Sequence, residues 1–253
     1  MQIIKRFAAT VLLAATATAT HGSSDHQSGF AVVELFTSEG CSSCPPAERL
    51  AGELIDAYSD QPVYVVVYHV DYWDRLGWPD RFASEAHSDR QRAYAAAWGD
   101  RRIYTPQMVV NGSRAASFVG SDRARAHRSI DRAVGAGSET TVEVSADEIK
   151  PGDSMKVRAK FDARPGSEHE RLIATFVVVE DDLSTDVRRG ENAGRRLDHA
   201  GVVRAARTVP ISSGVGRSVD LAIPADVDPD HARVIVYVQR GSDRIVLAAG
   251  SSG

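Results

Sequence analysis

The sequence predicts an α/β domain followed by an all-β sandwich domain, with the change between them near residue 138. Two observations support this prediction. Strand-like and helix-like hydrophobic patterns alternate up to that point, in the order βαβα and then ββα. Beyond it, helix signals nearly vanish, and short strand-like runs are separated by turns rich in Pro, Gly and Asp. That pattern of short strands and turns is typical of a β-sandwich.

The first twenty residues resemble a secretory signal peptide. Lys5 and Arg6 precede an apolar stretch, Phe7–Ala15, and small residues follow it. A helix that spans a bilayer needs roughly 20 apolar residues, so this stretch is too short to be one. We therefore assign residues 1–20 to a signal peptide and expect a periplasmic or secreted protein without a membrane span. In such a compartment a pair of thiols is available as a disulfide.

Residues 28–137 are assigned to the α/β domain. An apolar run at 30–36 predicts a buried strand, and 47–58 predicts a helix with Leu50, Leu54 and Ile55 on one stripe. The β-branched and aromatic run at 63–68 is typical of a central parallel strand. The remaining expected elements are a helix at 84–98, strands at 107–110 and 116–119, and a helix from Ser121 or Asp122 to about Gly135.

Residues 139–250 are assigned to the sandwich. Its expected strands are 141–144, 155–161, 172–179, 202–209, 218–223, 234–238 and 245–248. The polar, Arg-rich connection Asp181–Ala200 interrupts this series. Loops of that length are uncommon in compact domains and are often functional, the alternative being a solvated crossover.

The charge of the chain excludes one class of function. It carries 30 basic and 34 acidic residues, for a formal net charge of −4, and the two signs are interspersed. A nucleic-acid-binding protein calls for a basic face. We therefore expect no nucleic-acid partner.

The only two cysteines stand in Cys41-Ser42-Ser43-Cys44, between the first strand and the first helix. A structural zinc site usually needs four Cys or His ligands, and no second cysteine pair is present. A helix N-terminus favours a thiolate, so Cys41 is the predicted attacking nucleophile and Cys44 the resolving cysteine. The hydroxyls of Ser42 and Ser43 either hydrogen-bond the thiolate or cap the helix.

The order of elements, with CxxC between the first strand and helix, resembles the thioredoxin fold. Tyr104-Thr105-Pro106-Gln107 precedes a strand at the position of the cis-proline loop in thioredoxin-like proteins. The resemblance implies a cis bond before Pro106 and a substrate backbone aligned by Thr105 and Pro106. One departure is Pro45, where thioredoxins usually carry a basic residue, and we expect it to bias Cys44 away from helical angles.

Three further residues are possible supporting groups. Glu34 lies on the first strand, roughly where thioredoxins place a carboxylate that relays a proton to the resolving cysteine. His69 and Asp71 end the central strand, two residues apart and thus on one face. They either stand near the cysteines, at the carboxyl ends of the strands, or form a hydrogen-bonded pair that ties the following loop.

Four segments together resemble an exported bacterial family known mainly as a domain of unknown function. They are residues 33–46, which include CSSCPP, and the motifs HVDYWD at 69–74, YTPQ at 104–107 and GENAGR at 190–195. The resemblance covers nearly the whole mature chain. It implies a thioredoxin-like domain and a bacterial, periplasmic setting, and it supplies no reaction.

The leading functional hypothesis is thiol-disulfide exchange with protein or small-molecule thiols and disulfides, without a cofactor. In a second hypothesis the disulfide is static and the protein is a non-catalytic binding module. In a third, the chain is a copper-binding chaperone, because thiolates and imidazole suit copper. Its ligands would be Cys41, Cys44 and His69, with His87 as an alternative third ligand.

Overall fold

The structure is a computed structural model and describes residues 29–138, 140–162, 171–212 and 216–252. The predicted signal peptide at 1–20 lies outside these residues. The α-helices are α1 Pro45–Ala57, α2 Glu85–Trp98 and α3 Arg123–Gly135. The strands are β1 Ala31–Thr37, β2 Val63–His69, β3 Gln107–Val110, β4 Ser117–Val119, β5 Thr141–Ala146, β6 Ser154–Asp162, β7 Leu172–Glu180, β8 Leu183–Asp186, β9 Arg196–His199, β10 Val202–Ile211, β11 Arg217–Ala222, β12 Ala232–Arg240 and β13 Val246–Ser252.

One mixed sheet of eight strands runs through both halves of the chain. Its order is β13-β12-β7-β10-β2-β1-β3-β4. β1 and β2 are parallel, β3 is antiparallel to β1, and β10 joins the free edge of β2 in parallel. A three-stranded sheet, β11-β6-β5, and the hairpin β8-β9 complete the strands described.

The predicted fold class, a thioredoxin-like α/β domain followed by a separate all-β sandwich, is therefore wrong. The strands expected to form two separate domains share one sheet, because β10 covers the backbone groups that β2 would otherwise leave unpaired. Val202 pairs with Val67, and the Val67 amide donates to the Gly201 carbonyl at 2.8 Å. Gly201 has φ of +67°, and a side chain there would meet the Val65 carbonyl at 3.1 Å.

The core has three parts. The three-stranded sheet packs on one face of the β7-β10-β12-β13 region, through residues such as Phe161 and Phe176, so sheet-on-sheet packing is present within the larger architecture. Helices α1 and α3 cover one face of β1, β2 and β3. The other face of the same strands carries a hydrophobic cluster with residues from both halves of the chain, including Phe36, Tyr94 and Tyr237.

Local sequence explains the ends of the helices. Pro45 and Pro46 occupy the first positions of α1, where the missing N–H groups are not needed. The Ser84 hydroxyl accepts from the amide of Ala86 at the start of α2, and Gly99 ends that helix in the left-handed region. Among the described residues, no helix combines the length and the apolar character that crossing a membrane requires.

Candidate functional site

Cys41 and Cys44 form a disulfide at the start of α1, with Cα atoms 5.4 Å apart. The amide of Cys44 donates to the Cys41 carbonyl at 3.1 Å, and the Cys44 carbonyl accepts from Ala47 at 2.8 Å. Both cysteines are 0% exposed. The sulfur pair therefore lies at the amino end of a helix and is shielded from solvent.

Cys44 adopts φ of −80° and ψ of −35°, which is the right-handed helical region. The expectation that Pro45 would push it out of that region is wrong. The helical hydrogen bonds that Cys44 accepts through its carbonyl, from Ala47 and from Glu48, explain why it stays there.

The two serines between the cysteines have different surroundings. Ser43 Oγ lies 3.4 Å from Cys41 Sγ, so this hydroxyl is the one that contacts the sulfur. The Ser42 amide donates to Glu191 Oε2 at 3.1 Å. Both serines are exposed although the sulfurs are not. Ser43 is thus the serine whose hydroxyl contacts a sulfur of the disulfide, and no side-chain hydrogen bond caps α1.

The peptide bond between Thr105 and Pro106 is cis, as the sequence predicted. Trp73 connects the two segments. Its Nε1 donates to Thr105 Oγ1 at 2.8 Å, and its Cβ would lie 3.2 Å from a side chain added at Gly40, next to Cys41. Trp73 therefore lies between the cis-proline segment and the disulfide turn.

The long polar connection crosses this site. Its ends form the hairpin β8-β9, and its tip, residues 187–195, is here called the strap. Asn192 is fully buried, and its Nδ2 donates to the carbonyls of Glu39 and Cys41 at 2.8 and 3.0 Å. Gly190, with φ of +80°, packs against Trp78. The strap therefore covers the disulfide turn, a role that its sequence did not indicate.

Glu34 faces away from α1. It is fully buried, and its Oε1 accepts from Arg90 Nε at 2.5 Å. Its other oxygen accepts from the hydroxyl of Tyr94. These partners belong to α2, on the sheet face opposite α1, because side chains alternate along β1. The structure shows Glu34 in a buried ion pair with Arg90.

His69 and Asp71 do not pair with each other. His69 Nδ1 lies 2.6 Å from Asp80 Oδ2, with both side chains fully buried. Asp71 instead accepts from Ser88 Oγ at 2.5 Å. His87, the alternative copper ligand, has its Nδ1 2.9 Å from the His69 carbonyl. The disulfide occupies both sulfurs that the copper hypothesis requires as thiolates.

A buried cluster of carboxylates and imidazoles adjoins the disulfide turn. Glu39 lies two residues before Cys41 and Glu48 four residues after Cys44, and His199 ends β9. His199 Nδ1 lies 2.7 Å from Glu48 Oε2, and His199 Nε2 lies 3.3 Å from Glu39 Oε1. Thr37 Oγ1 donates to the other oxygen of Glu48 at 2.6 Å. This contact ties β1 to α1 directly beneath the site.

In the metal-free protein, opposite charges in this cluster shift the pKa values of four of its groups. Burial disfavours the imidazolium of His199, but close contacts with the Glu39 and Glu48 carboxylates outweigh it and raise the pKa of His199 to about 10. Burial likewise opposes ionisation of Glu48, but His199 outweighs it and lowers the pKa of Glu48. The same balance between burial and mutual attraction raises the pKa of His69 and lowers that of Asp80.

Sequence reasoning missed Glu39, Glu48, Asp80 and His199. One signal was present for Glu48, because it lies on the buried face of α1 beside Ala47 and Ala51, where a carboxylate needs a partner. A second was the alternation in β9, in which Leu197 and His199 are buried between exposed residues. Nothing local pairs these two segments, because they lie far apart in the chain.

The family described as "Protein of unknown function (DUF1223)" matches residues 32–239. A crystal structure of a protein from Agrobacterium tumefaciens is similar, with a TM-score of 0.64 and 26% identity over 89% of this chain and 95% of that chain. HBP35 of Porphyromonas gingivalis has a TM-score of 0.60 and 13% identity over 89% of this chain and 75% of its own, which shows a shared fold. No curated protein matches the chain.

Proposed function

Because the chain belongs to the family described as protein of unknown function (DUF1223), whose description supplies no reaction, we propose a function from the site itself. The proposed function is thiol-disulfide exchange through Cys41 and Cys44 in an exported, periplasmic or secreted protein. The observation that carries it is a disulfide closed over one turn at the amino end of α1. The partners are thiols and disulfides of proteins or small molecules.

The position of the disulfide favours exchange because it stabilises the thiolate product. In the reduced protein, the unpaired N–H groups and the dipole of α1 favour the thiolate of Cys41. The Ser43 hydroxyl, 3.4 Å from that sulfur, adds a donor. In CxxC motifs these effects bring a cysteine pKa to about 3.5–7.5. Cys41 is therefore the sulfur assigned to form the mixed disulfide.

The proposed exchange balances without another reactant. A substrate thiolate attacks Cys41 Sγ, the Cys41–Cys44 bond breaks, and its electron pair leaves as the Cys44 thiolate. A second substrate thiolate then attacks the substrate sulfur of the mixed disulfide and releases Cys41. One substrate dithiol is oxidised to a disulfide, and the protein disulfide is reduced to two thiols. The reverse sequence reduces a substrate disulfide.

Exchange requires access that the closed strap denies, so movement of the strap is part of the proposal. The turn is held by Asn192 at two carbonyls and by Glu191 at the Ser42 amide. Once the strap is displaced, Thr105 and Pro106 border the opened surface, held next to the turn through Trp73. We assign the backbone of a protein substrate to this border.

One observation favours a second candidate, a static disulfide in a non-catalytic binding module. Both cysteines are 0% exposed, and structural disulfides are buried in this way. The two candidates differ in whether the strap opens often enough for a substrate to reach Cys41.

Single-cysteine variants test the proposal. The oxidised wild-type protein should oxidise a model dithiol peptide, and Cys41→Ser and Cys44→Ser should each lose this activity. Cys44→Ser should also form a stable mixed disulfide with glutathione disulfide through Cys41, detected by intact mass, whereas Cys41→Ser should not. Ser42→Ala keeps both sulfurs and serves as the control. If the folded wild type oxidises no dithiol and Cys44→Ser forms no adduct, the disulfide is static.

A further inference from the structure

Glu48, His69 and His199 each bring one possible metal-ligand atom to a common point. These atoms all lie within 4.8 Å of one another, and the three side chains are buried. They come from three separate elements, α1, β2 and β9. No cysteine belongs to this group, so it differs from the copper set expected from the sequence.

A ring nitrogen of this group has no hydrogen-bond partner. It is His69 Nε2, and the residue is 0% exposed. A buried polar atom without a partner is costly and calls for an explanation, such as an ion. Glu48 Oε2 and His199 Nδ1 are 2.7 Å apart, which is close enough for both atoms to reach one zinc ion at bonds of about 2.0–2.2 Å.

One nitrogen of each imidazole faces a carboxylate outside the ligand group. His69 Nδ1 contacts Asp80 Oδ2 at 2.6 Å, and His199 Nε2 lies 3.3 Å from Glu39 Oε1. A metal-bound histidine almost always donates its second ring N–H to such a group, which fixes the tautomer and aims the free nitrogen at the metal. His69 Nε2 and His199 Nδ1 are therefore the nitrogens assigned as ligands, and Asp80 and Glu39 are positioning residues.

We propose that this cluster binds one Zn²⁺ ion through His69 Nε2, His199 Nδ1 and the carboxylate of Glu48. Both imidazoles bind as neutral ligands, so zinc binding releases protons. Two imidazoles with carboxylate oxygens suit zinc. A dication also offsets the negative charge of three buried carboxylates that face two imidazoles. The proposal uses no sulfur and is independent of the proposed exchange reaction.

The proposed site links segments on both sides of the disulfide turn. Glu39 and Glu48 flank Cys41 and Cys44, and His199 ends the strand that follows the strap. A cleft between α1 and the β8-β9 hairpin, lined by Glu48 and His199, gives the ion a way in. The ligands are almost wholly buried, so the ion would have a structural role, holding the hairpin against α1.

Zinc content measured on the oxidised protein tests this site. Chelator-treated protein is mixed with excess Zn²⁺, desalted, and analysed by mass spectrometry of the metal. The expected result is one zinc per chain for the wild type and none for His69→Gln and His199→Gln. Asp80→Asn should weaken zinc affinity by about 10- to 100-fold, as loss of a partner of a metal-bound histidine does.

Two matched controls identify the ligands. His127→Gln makes the same substitution at a partly buried histidine that contacts Tyr58 instead, and it should keep the zinc. The double variant Cys41→Ser/Cys44→Ser should also keep it. Circular dichroism checks that each variant is folded.

Cobalt(II) in the wild-type protein gives a second readout that needs no variant. It should show the visible bands of a tetrahedral site without thiolate charge transfer. The proposal is overturned if wild type retains no zinc, if the folded His69 and His199 variants both retain it, or if the double cysteine variant loses it.

Discussion

The strap yields a quantitative prediction about reduction of the disulfide. The side chain of Asn192 is buried and donates two hydrogen bonds, at 2.8 and 3.0 Å, to the carbonyls of Glu39 and Cys41. Each such bond contributes about 0.5–1.5 kcal/mol. Asn192→Ala should therefore favour the open strap by about 1–3 kcal/mol, which corresponds to a roughly 5- to 150-fold larger open population.

Disulfide reduction under native conditions measures that population. If the reductant reaches the sulfurs only when the strap is open, and opening is fast, the rate follows the open fraction. We therefore expect thiol release from Asn192→Ala in excess phosphine reductant to be roughly 5- to 150-fold faster than from wild type, as calculated from the two lost hydrogen bonds.

The matched control is Asn111→Ala. Asn111 also bonds main-chain groups, accepting from the Val32 amide at 2.6 Å and donating to the Phe30 carbonyl at 2.9 Å. These contacts lie at the opposite end of β1 from the disulfide. The reasoning is refuted if folded Asn192→Ala is reduced at the wild-type rate, or if Asn111→Ala is accelerated equally.

Three other predictions concern single groups. Ser43→Ala should raise the Cys41 pKa in the reduced protein by roughly 0.4–1 unit, because one hydrogen bond to the thiolate is lost. Ser42→Ala should leave that pKa unchanged. The pH dependence of cysteine alkylation measures the pKa, and equal shifts in the two variants would contradict the assignment of Ser43. Glu34→Gln leaves buried Arg90 without its carboxylate partner. It should lower the free energy of unfolding, measured by urea titration, by about 3–5 kcal/mol. A loss below about 1 kcal/mol would contradict this account of the ion pair. Burial lowers the pKa of His87 to about 4, below its unfolded value of about 6.5, so its stabilising contribution is present above pH 6.5 and is lost as the pH falls towards 4. In EDTA, His87→Gln should therefore reduce the slope of unfolding free energy against pH between about pH 4 and 6.5. An unchanged slope would show that other groups cause the pH dependence.

Local sequence patterns predicted individual elements well. The expected helix at 84–98 corresponds to α2 at Glu85–Trp98, and the run at 63–68 corresponds to β2. The CxxC turn, its disulfide and the cis bond before Pro106 were also predicted. These features depend on residues that are close in the chain, so hydrophobic periodicity and motif spacing are sufficient to predict them.

The pairing of distant elements was not available from the same patterns. A strand as apolar as β2 is compatible with any neighbour, and its partner β10 begins at Val202, in the other half of the chain. The hairpin β8-β9 is short and polar, so the sequence predicts a loop in its place. For the same reason His199 had no visible link to Glu48, and the buried acid–imidazole cluster emerged only from the three-dimensional arrangement.

The reduction potential of the Cys41–Cys44 pair tests the proposed exchange function most directly. The protein is equilibrated against glutathione buffers, and free thiols are quantified after acid quenching. The account predicts a value between about −120 and −270 mV, the range of exchange catalysts. A value below about −300 mV is that of a structural disulfide and would contradict it.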